Sequence, residues 1–265
     1  MDQLVGLRRM SYSGRGLMIG MTPEGNTFLG YHITGRSPPS QARKLVKGKE
    51  SGVIYTEVTD PKVLSQGSRA LLIYPAAVAI GDILLGSNGA QTEMVYSTLM
   101  NNTPCSHPCR TTSELAMTIH DAFKESTYRF DPENDNWVDL ASFEPDPPIN
   151  TPRISAAAQG ETGTLYIISK NGGERERRWH DCCLMPGNAK IITTYKGGNE
   201  KPNLLPFTGE PLEARITAIT PQEIARSILS AISHGSKPGE NFAVAAAVMM
   251  YNRKTGTVES AIAHP

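Results

Sequence analysis

Apolar residues along this chain come in short runs broken by glycine, proline and asparagine. Residues 14–20 predict a strand, Thr22-Pro23-Glu24-Gly25-Asn26 a turn, and residues 27–34 the returning strand. The fold therefore opens on a hairpin, after an N-terminal extension over residues 1–11. Phe28, Tyr31 and Ile33 supply β-formers in partial alternation. The strand breaks at Gly35, and Pro38-Pro39 exclude both a helix interior and a central strand. Residues 52–58, 70–74 and 78–85 predict three more strands. The second is ended by Pro75, and the third is apolar enough to be buried on both faces.

Ser87-Asn88-Gly89 ends that run and a helix follows over about 90–100, with Gln91, Thr92 and Glu93 in its first turn. Thr111-Thr112-Ser113-Glu114 reads as a capping box, followed by Leu115, Ile119 and Phe123 at helical spacing. Residues 127–150 are rich in Asp, Pro and Asn and predict a long surface connection. Strands are expected over 153–158, 164–169, 179–184 and 189–195, then a loop over 204–211. Thr220-Pro221-Gln222-Glu223 is the clearest helix start, and Ile224, Ile228, Leu229 and Ile232 give that helix one apolar face. Residues 242–251 and 257–263 form a closing hairpin. Strands dominate and no βαβ alternation is sustained. Two antiparallel sheets covered by helices fit better than a doubly wound parallel sheet. No linker divides the chain.

Charge narrows the partners. Lys and Arg number 26 and Asp and Glu 26, so the net charge is zero. A general nucleic-acid binder would carry a basic excess, so any attraction for an anion is local. No apolar run approaches about 20 residues, which excludes a transmembrane helix, and residues 1–10 do not read as a secretory signal. Cys105-x-His107-x-Cys109 and His180-x-Cys182-Cys183 hold ligand types suited to zinc, but their spacings are not a zinc pattern. Reduced thiols and no metal are expected.

The chemistry candidates sit at breaks between apolar segments. The stretch from Gly30 to Lys44 is a strand ending in a stiff, hydroxyl-rich, cationic turn. Arg36, Ser37, Ser40 and Arg43 there suit a phosphate, since Arg presents a planar fork of donors. Tyr74 precedes Pro75; Asn88, Gln91 and Glu93 lie on a strand-to-helix turn; Asn150-Thr151-Pro152-Arg153 leads into a strand. No nucleophile elbow, Walker loop or zincin motif is present, and no histidine stands beside a candidate nucleophile.

Taken together, Tyr12-Ser13-Gly14-Arg15-Gly16, the Gly-Arg-Ser-Pro turn at 35–38, Leu72-Ile73-Tyr74, residues 88–93 and Asn150-Thr151-Pro152-Arg153-Ile154 resemble the archaeal-type inosine monophosphate (IMP) cyclohydrolase family and its bacterial relatives. The match covers roughly residues 11–160, with Pro206-Phe207-Thr208-Gly209 as its main later element. The departures are the extension before Tyr12, a longer C-terminal part, and Pro38 where archaeal members usually carry an aromatic.

The resemblance implies an α+β fold, a four-layer αββα sandwich like that of N-terminal-nucleophile hydrolases, as one domain over 12–265. It implies a cytoplasmic enzyme closing 5-formamidoimidazole-4-carboxamide ribonucleotide to IMP with loss of water, the last step of de novo purine synthesis. Its partners would be that substrate and product, with no nucleic acid, membrane, metal or redox cofactor; a homo-oligomer is compatible with the chain. The implied catalytic residues are Arg36, Tyr74, Glu93 and Arg153, and the implied substrate-binding residues Ser37, Arg43, Asn88, Gln91, Asn150 and Thr151. Arg36 and Arg153 would divide phosphate binding and oxyanion stabilisation between them. The phosphate is expected at Arg36 rather than at the basic run Arg175-x-Arg177-Arg178, which Glu174 and Glu176 interleave. Two other readings stay open: an amide hydrolase with an N-terminal nucleophile, Ser11 or Ser13 being nearest, and a non-catalytic nucleotide-binding protein of the same fold.

Overall fold

The computed structural model describes residues 4–50, 52–60, 62, 72–101, 112–132, 135–200 and 204–265. In chain order the elements are α1 (Val5–Arg8), β1 (Arg15–Met21), β2 (Thr27–Thr34), α2 (Pro38–Gln41), β3 (Arg43–Lys47), β4 (Val53–Val58), β5 (Pro75–Ile80) and β6 (Ile83–Ser87). Then come α3 (Gln91–Asn101), α4 (Thr112–Ala122), β7 (Tyr128–Asp131), β8 (Asn136–Asp139), β9 (Arg153–Gln159), β10 (Thr162–Asn171), β11 (Glu174–Cys183) and β12 (Asn188–Thr193). The chain closes with β13 (Leu212–Arg215), α5 (Pro221–Ile232), β14 (Ala243–Asn252) and β15 (Thr257–Ala263).

The strands form a six-stranded sheet ordered β13-β12-β1-β2-β14-β15 and a seven-stranded sheet ordered β11-β10-β9-β6-β5-β4-β3. Every pairing described within them is antiparallel. The sheets face each other: β1 and β2 of the first contact β9 and β6 of the second. The core between them takes Leu17, Ile19, Leu29 and Ile33 from one side and Leu84, Ala156, Ala158 and Ile167 from the other. Helix α5 covers the outer face of the six-stranded sheet through β14, β15 and β2. Its Thr220–Glu223 capping box and N1 proline form as the sequence predicts. Helices α3 and α4 cover the other outer face, where Val95, Leu99, Leu115, Ile119 and Phe123 pack on Leu85, Ala157 and Ile168. Strands β6 and β9 are buried on both faces, so alternate residues feed the two cores.

Several expectations change. Residues 72–74 are not a strand; β5 begins at Pro75, which stands first in its strand opposite Tyr55. Residues 70 and 71 lie outside the described residues. Residues 78–85 are not one strand but the turn of a hairpin, with Ile80 paired to Ile83 across Gly81-Asp82. Residues 127–150 contain the β7–β8 hairpin, and β13 is added at the sheet edge. Pro38 and Pro39 start a one-turn helix rather than a plain turn, because proline is tolerated at a first helical turn. Leu4, Leu7 and Met10 of the N-terminal stretch are buried, and α1 contacts α5 and β13.

Cys182 is buried and Cys183 exposed, as adjacent strand residues must be. Burial pushes the Cys182 thiol up to about 11. Cys105, His107 and Cys109 lie outside the described residues, and among those described no three His, Cys, Asp or Glu side chains are grouped to hold an ion. No described helix is long and apolar enough to cross a membrane.

Candidate active site

Antiparallel pairing gathers several chain breaks at one end of the sandwich. Arg15 at the start of β1 stands opposite Ile33 near the end of β2, and Gly16 opposite Thr193 at the end of β12. In the facing sheet, Ser87 at the end of β6 stands opposite Ser155 near the start of β9. A cleft of about 380 Å³ opens there. Its lining includes Arg36, Ser37, Pro39, Ser40 and Arg43 from the turn after β2, Arg15, Glu144, Asp146, Thr151 and Tyr195, and Tyr12 and Thr34.

The turn that carries Arg36 and Arg43 is stiff. Ser37 caps α2, and its backbone N–H donates to Ser40 Oγ at 3.0 Å. Gly35 passes so close to Ser40 that an added Cβ would stand 2.5 Å from its carbonyl. Arg43 Nε donates to the Ser40 carbonyl at 3.0 Å. Arg36 lies over the Tyr12 ring at 5.5 Å and donates to Asn199 Oδ1 at 3.2 Å. Gly14, at φ +73°, keeps the wall open beside Tyr195, where a Cβ would stand 2.7 Å from the ring.

Arg15 and Glu144 of the lining belong to a buried ionic cluster. Glu144 accepts from Arg15 Nη1 at 3.0 Å and Nη2 at 3.1 Å, a bidentate pair. Arg15 Nη1 also donates to the Asn88 carbonyl at 2.7 Å. Burial opposes the charge on Arg15, but Glu144, then Tyr74 and Tyr31, hold its guanidinium even more firmly protonated than usual. Arg153 is 1% exposed. It stands 3.8 Å from Glu144, donates to the Ser142 carbonyl at 2.7 Å and to Gln91 Oε1 at 2.9 Å. Its Nη2 has no partner among the described residues. Burial lowers its pKa, with Glu144 opposing. Asn88 works as a clamp: Oδ1 accepts from Gln91 Nε2 and the Ile154 N–H, both at 2.9 Å, while Nδ2 donates to the Pro152 carbonyl at 2.8 Å.

The sequence-derived candidates thus separate. Arg36, Ser37, Arg43 and Thr151 line the cleft. Tyr74, Asn88, Gln91 and Arg153 are buried outside its lining. Tyr74 shares a 2.8 Å hydroxyl contact with Tyr31. Glu93 and Asn150 are not in the lining: Glu93 is 56% exposed and paired with Arg129 at 3.4 Å, and Asn150 donates to the Pro148 carbonyl. Sequence reasoning missed Arg15, Glu144, Asp146 and Tyr195. Tyr12 and Arg15 did carry a signal, the Tyr-Ser-Gly-Arg-Gly run. The basic run of β11 points elsewhere: Arg175, Arg177 and Arg178 donate to the carbonyls of Ala141, Phe123 and Phe207.

Behind the cleft, His32 is 3% exposed with Nε2 2.9 Å from Ser13 Oγ. Burial pushes its pKa down to about 3, so the folded protein holds it neutral, while an unfolded chain protonates it below about 6.5. Its contribution to stability is complete above that value and is lost as pH falls toward 3. Lowering the pH from 7 to 5 should cost about 2 kcal/mol through this group, at about 1.4 kcal/mol per unit. Urea unfolding at both pH values should therefore show a smaller drop in His32→Gln than in the parent. Equal drops would show that another group carries the acid sensitivity.

A family model described as IMP cyclohydrolase-like protein matches residues 12–255. The IMP cyclohydrolase of Methanococcus maripaludis strain C7 is 24% identical over 189 residues, covering 71% of this chain and 76% of that protein. That of strain C6 is 22% identical over 203 residues, 76% of this chain and 84% of that protein. That of Methanococcus aeolicus is 23% identical over 185 residues, 70% and 74%. A match running from the start of the cleft wall at Tyr12 through β14 leaves one conclusion: the chain belongs to the IMP cyclohydrolase-like protein family.

Proposed function

We propose that this protein is an IMP cyclohydrolase of purine biosynthesis, closing 5-formamidoimidazole-4-carboxamide ribonucleotide to IMP with release of water. Besides family membership, the observation that carries this reading is the polarity of the cleft. The turn after β2 offers Arg36, Arg43, Ser37 and Ser40, and Glu144 and Asp146 add two carboxylates, Glu144 backed by two guanidinium groups. A dianionic phosphate is repelled by Glu144 and Asp146, so the reading puts it against Arg36 and Arg43. The ring, with its amide N–H donors, then reaches the carboxylates.

The carboxamide nitrogen attacks the formyl carbon of the same molecule. Both groups sit on one ring, so the protein gains by holding the reactive rotamer. The carboxamide nitrogen loses one proton as the N–C bond forms; the formamido nitrogen loses a second as its ring C=N bond forms and the formyl C–O bond breaks, and both protons leave with the formyl oxygen as water. We place Glu144 at the carboxamide, where it accepts the N–H and takes the proton. Arg15, backed by Arg153, faces the charge developing on the formyl oxygen. Tyr74, held by Tyr31, lies close enough to Arg15 to influence it electrostatically. Asn88 and Gln91 act through the arginines they position, with Thr151 in the wall beside the ring. Glu93 and Asn150 take no part in this scheme.

The same reading assigns the two facing sheets with outer helices to the αββα sandwich of N-terminal-nucleophile hydrolases. It takes 12–265 as one catalytic domain behind the extension 1–11, working in the cytoplasm. The Ser13–His32 contact favours a second reading, an amide hydrolase using Ser13 at a processed terminus. Loss of twelve residues in the intact mass of the active protein would select it.

The direct test is IMP formation from the synthetic formamido ribonucleotide; binding of nucleotide without product would leave only a binding protein. Within that assay, Arg36→Ala should lower kcat/KM at least about tenfold, about 1.4 kcal/mol. The double change Arg177→Ala and Arg178→Ala, away from the cleft, should keep nucleotide affinity. The opposite pattern would move the phosphate to β11.

A further inference from the structure

A three-residue hydrogen-bond chain in the cleft wall has a direction fixed by the donors available. Asp146 is a half-buried acceptor. The Thr151 backbone N–H donates to its Oδ1 at 2.6 Å, and Thr151 Oγ1 donates to its Oδ2 at 2.5 Å. A threonine hydroxyl owns one hydrogen. The 3.0 Å contact between Thr151 Oγ1 and Tyr195 Oη must therefore be made by the tyrosine proton. Tyr195 lines the cleft with its donor already committed, and what its oxygen offers a ligand is a lone pair. Stacking on Tyr12 at 5.7 Å and the close approach of Gly14 hold the ring in this pose.

The geometry points to Asp146 as a positioning residue that, through Thr151, makes Tyr195 a hydrogen-bond acceptor selecting ligands with an N–H donor opposite it, the carboxamide or lactam N–H of an oxo-purine precursor or product. This rests on the nucleotide reading above, and deepens it by naming the edge of the ring that is read. A ligand presenting a ring nitrogen lone pair there would set acceptor against acceptor and leave both unpaired. The chain would run the other way if the group at position 146 became a donor. Burial, and then Glu144, raise the Asp146 carboxyl above its ordinary range, while Thr151 and Arg15 hold it down.

Asp146→Asn is the discriminating change, because the Thr151 backbone N–H pins its orientation. The amide oxygen must occupy the Oδ1 position to accept that N–H, so the NH₂ faces Thr151 Oγ1 and donates. Thr151 then donates to Tyr195, and Tyr195 turns its proton into the cleft. Thr151→Val removes the middle link and leaves Tyr195 free to choose either sense.

The experiment measures binding of IMP, whose N1 carries a hydrogen, and AMP, whose N1 is an acceptor, by calorimetry to the full chain. In the parent, IMP should be preferred. Asp146→Asn should shift the IMP/AMP preference at least about tenfold toward AMP, and Thr151→Val should shift it less, toward equality. A chain that merely supports the wall would weaken both nucleotides by one factor. An unchanged ratio in Asp146→Asn overturns the proposal, and if that variant does not fold, an unchanged ratio in Thr151→Val does so. If the parent binds neither nucleotide, the nucleotide reading fails on its own account. The chain is then tested without ligand, by the infrared C–O stretch of ring-labelled tyrosine. Asp146→Asn should shift a band that is lost in Tyr195→Phe, and no shift overturns the assignment.

Discussion

Replacing Glu144 by Gln is expected to cut the kcat of ring closure by about a hundredfold or more, with a smaller change in KM. Gln keeps the shape and one acceptor for Arg15, but it cannot take a proton from the carboxamide nitrogen. Losing a positioned proton acceptor removes about 10²–10⁴ in rate. With the substrate's phosphate on Arg36 and Arg43, as proposed, ground-state affinity should fall less than turnover. Steady-state formation of IMP, with the fold checked by circular dichroism, decides it. A kcat within threefold of the parent would remove Glu144 from the chemistry.

Arg15→Met should be the most destabilising of the substitutions considered. Arg15 and Glu144 form a bidentate pair with side chains 10% and 4% exposed. Removing one member strands a buried carboxylate whose remaining cation, Arg153, stands 3.8 Å away. Breaking such a pair costs about 3–5 kcal/mol. The change also takes a donor from the Asn88 carbonyl. Denaturant unfolding should show the midpoint falling with little change in slope. A loss below about 1 kcal/mol would mean that water or Arg153 replaces the missing partner. The double change Arg15→Met with Glu144→Leu should recover much of the stability and none of the activity.

The sheets were legible where local chemistry and tertiary fate agree. The β1–β2 hairpin follows from two β-rich runs about a Thr-Pro-Glu-Gly-Asn turn, and α5 from its capping box. The β5–β6 hairpin was hidden because its two-residue turn, Gly81-Asp82, interrupts an otherwise continuous apolar run. Gly81 at φ +60° is the turn signal, and a glycine followed by Asp between β-formers deserved more weight than the apolar run. Pro75 misled in the opposite way, since a proline that ends one strand can equally begin another. The cleft was half legible. Its basic end lies in a contiguous stretch with a motif of its own. Its acidic end does not: Glu144 and Asp146 sit in a proline-rich segment whose composition is that of solvent-facing loops. They reach the cleft wall in a loop where the Glu144 backbone N–H bonds the Thr151 carbonyl at 2.8 Å. Glu93 shows the converse. It fits a dipole-favoured first turn wherever that turn points.

The Arg15–Asn88 bond, and with it the 3.3 Å contact from Asn88 Nδ2 to Thr194 Oγ1, ties β1 and β12 of one sheet to the end of β6 in the other. The cleft is therefore a seam between two slabs as well as a place for a ligand. One slab cannot slide over the other without tearing the guanidinium from its carbonyl, and a nucleotide bound as proposed would act as a further stitch. Amide hydrogens near Arg15 and near Asn88 should then gain protection together on ligand binding, although they belong to different sheets. Strand β15, at the edge of the first sheet with β2 and β14 between it and β1, should exchange as before.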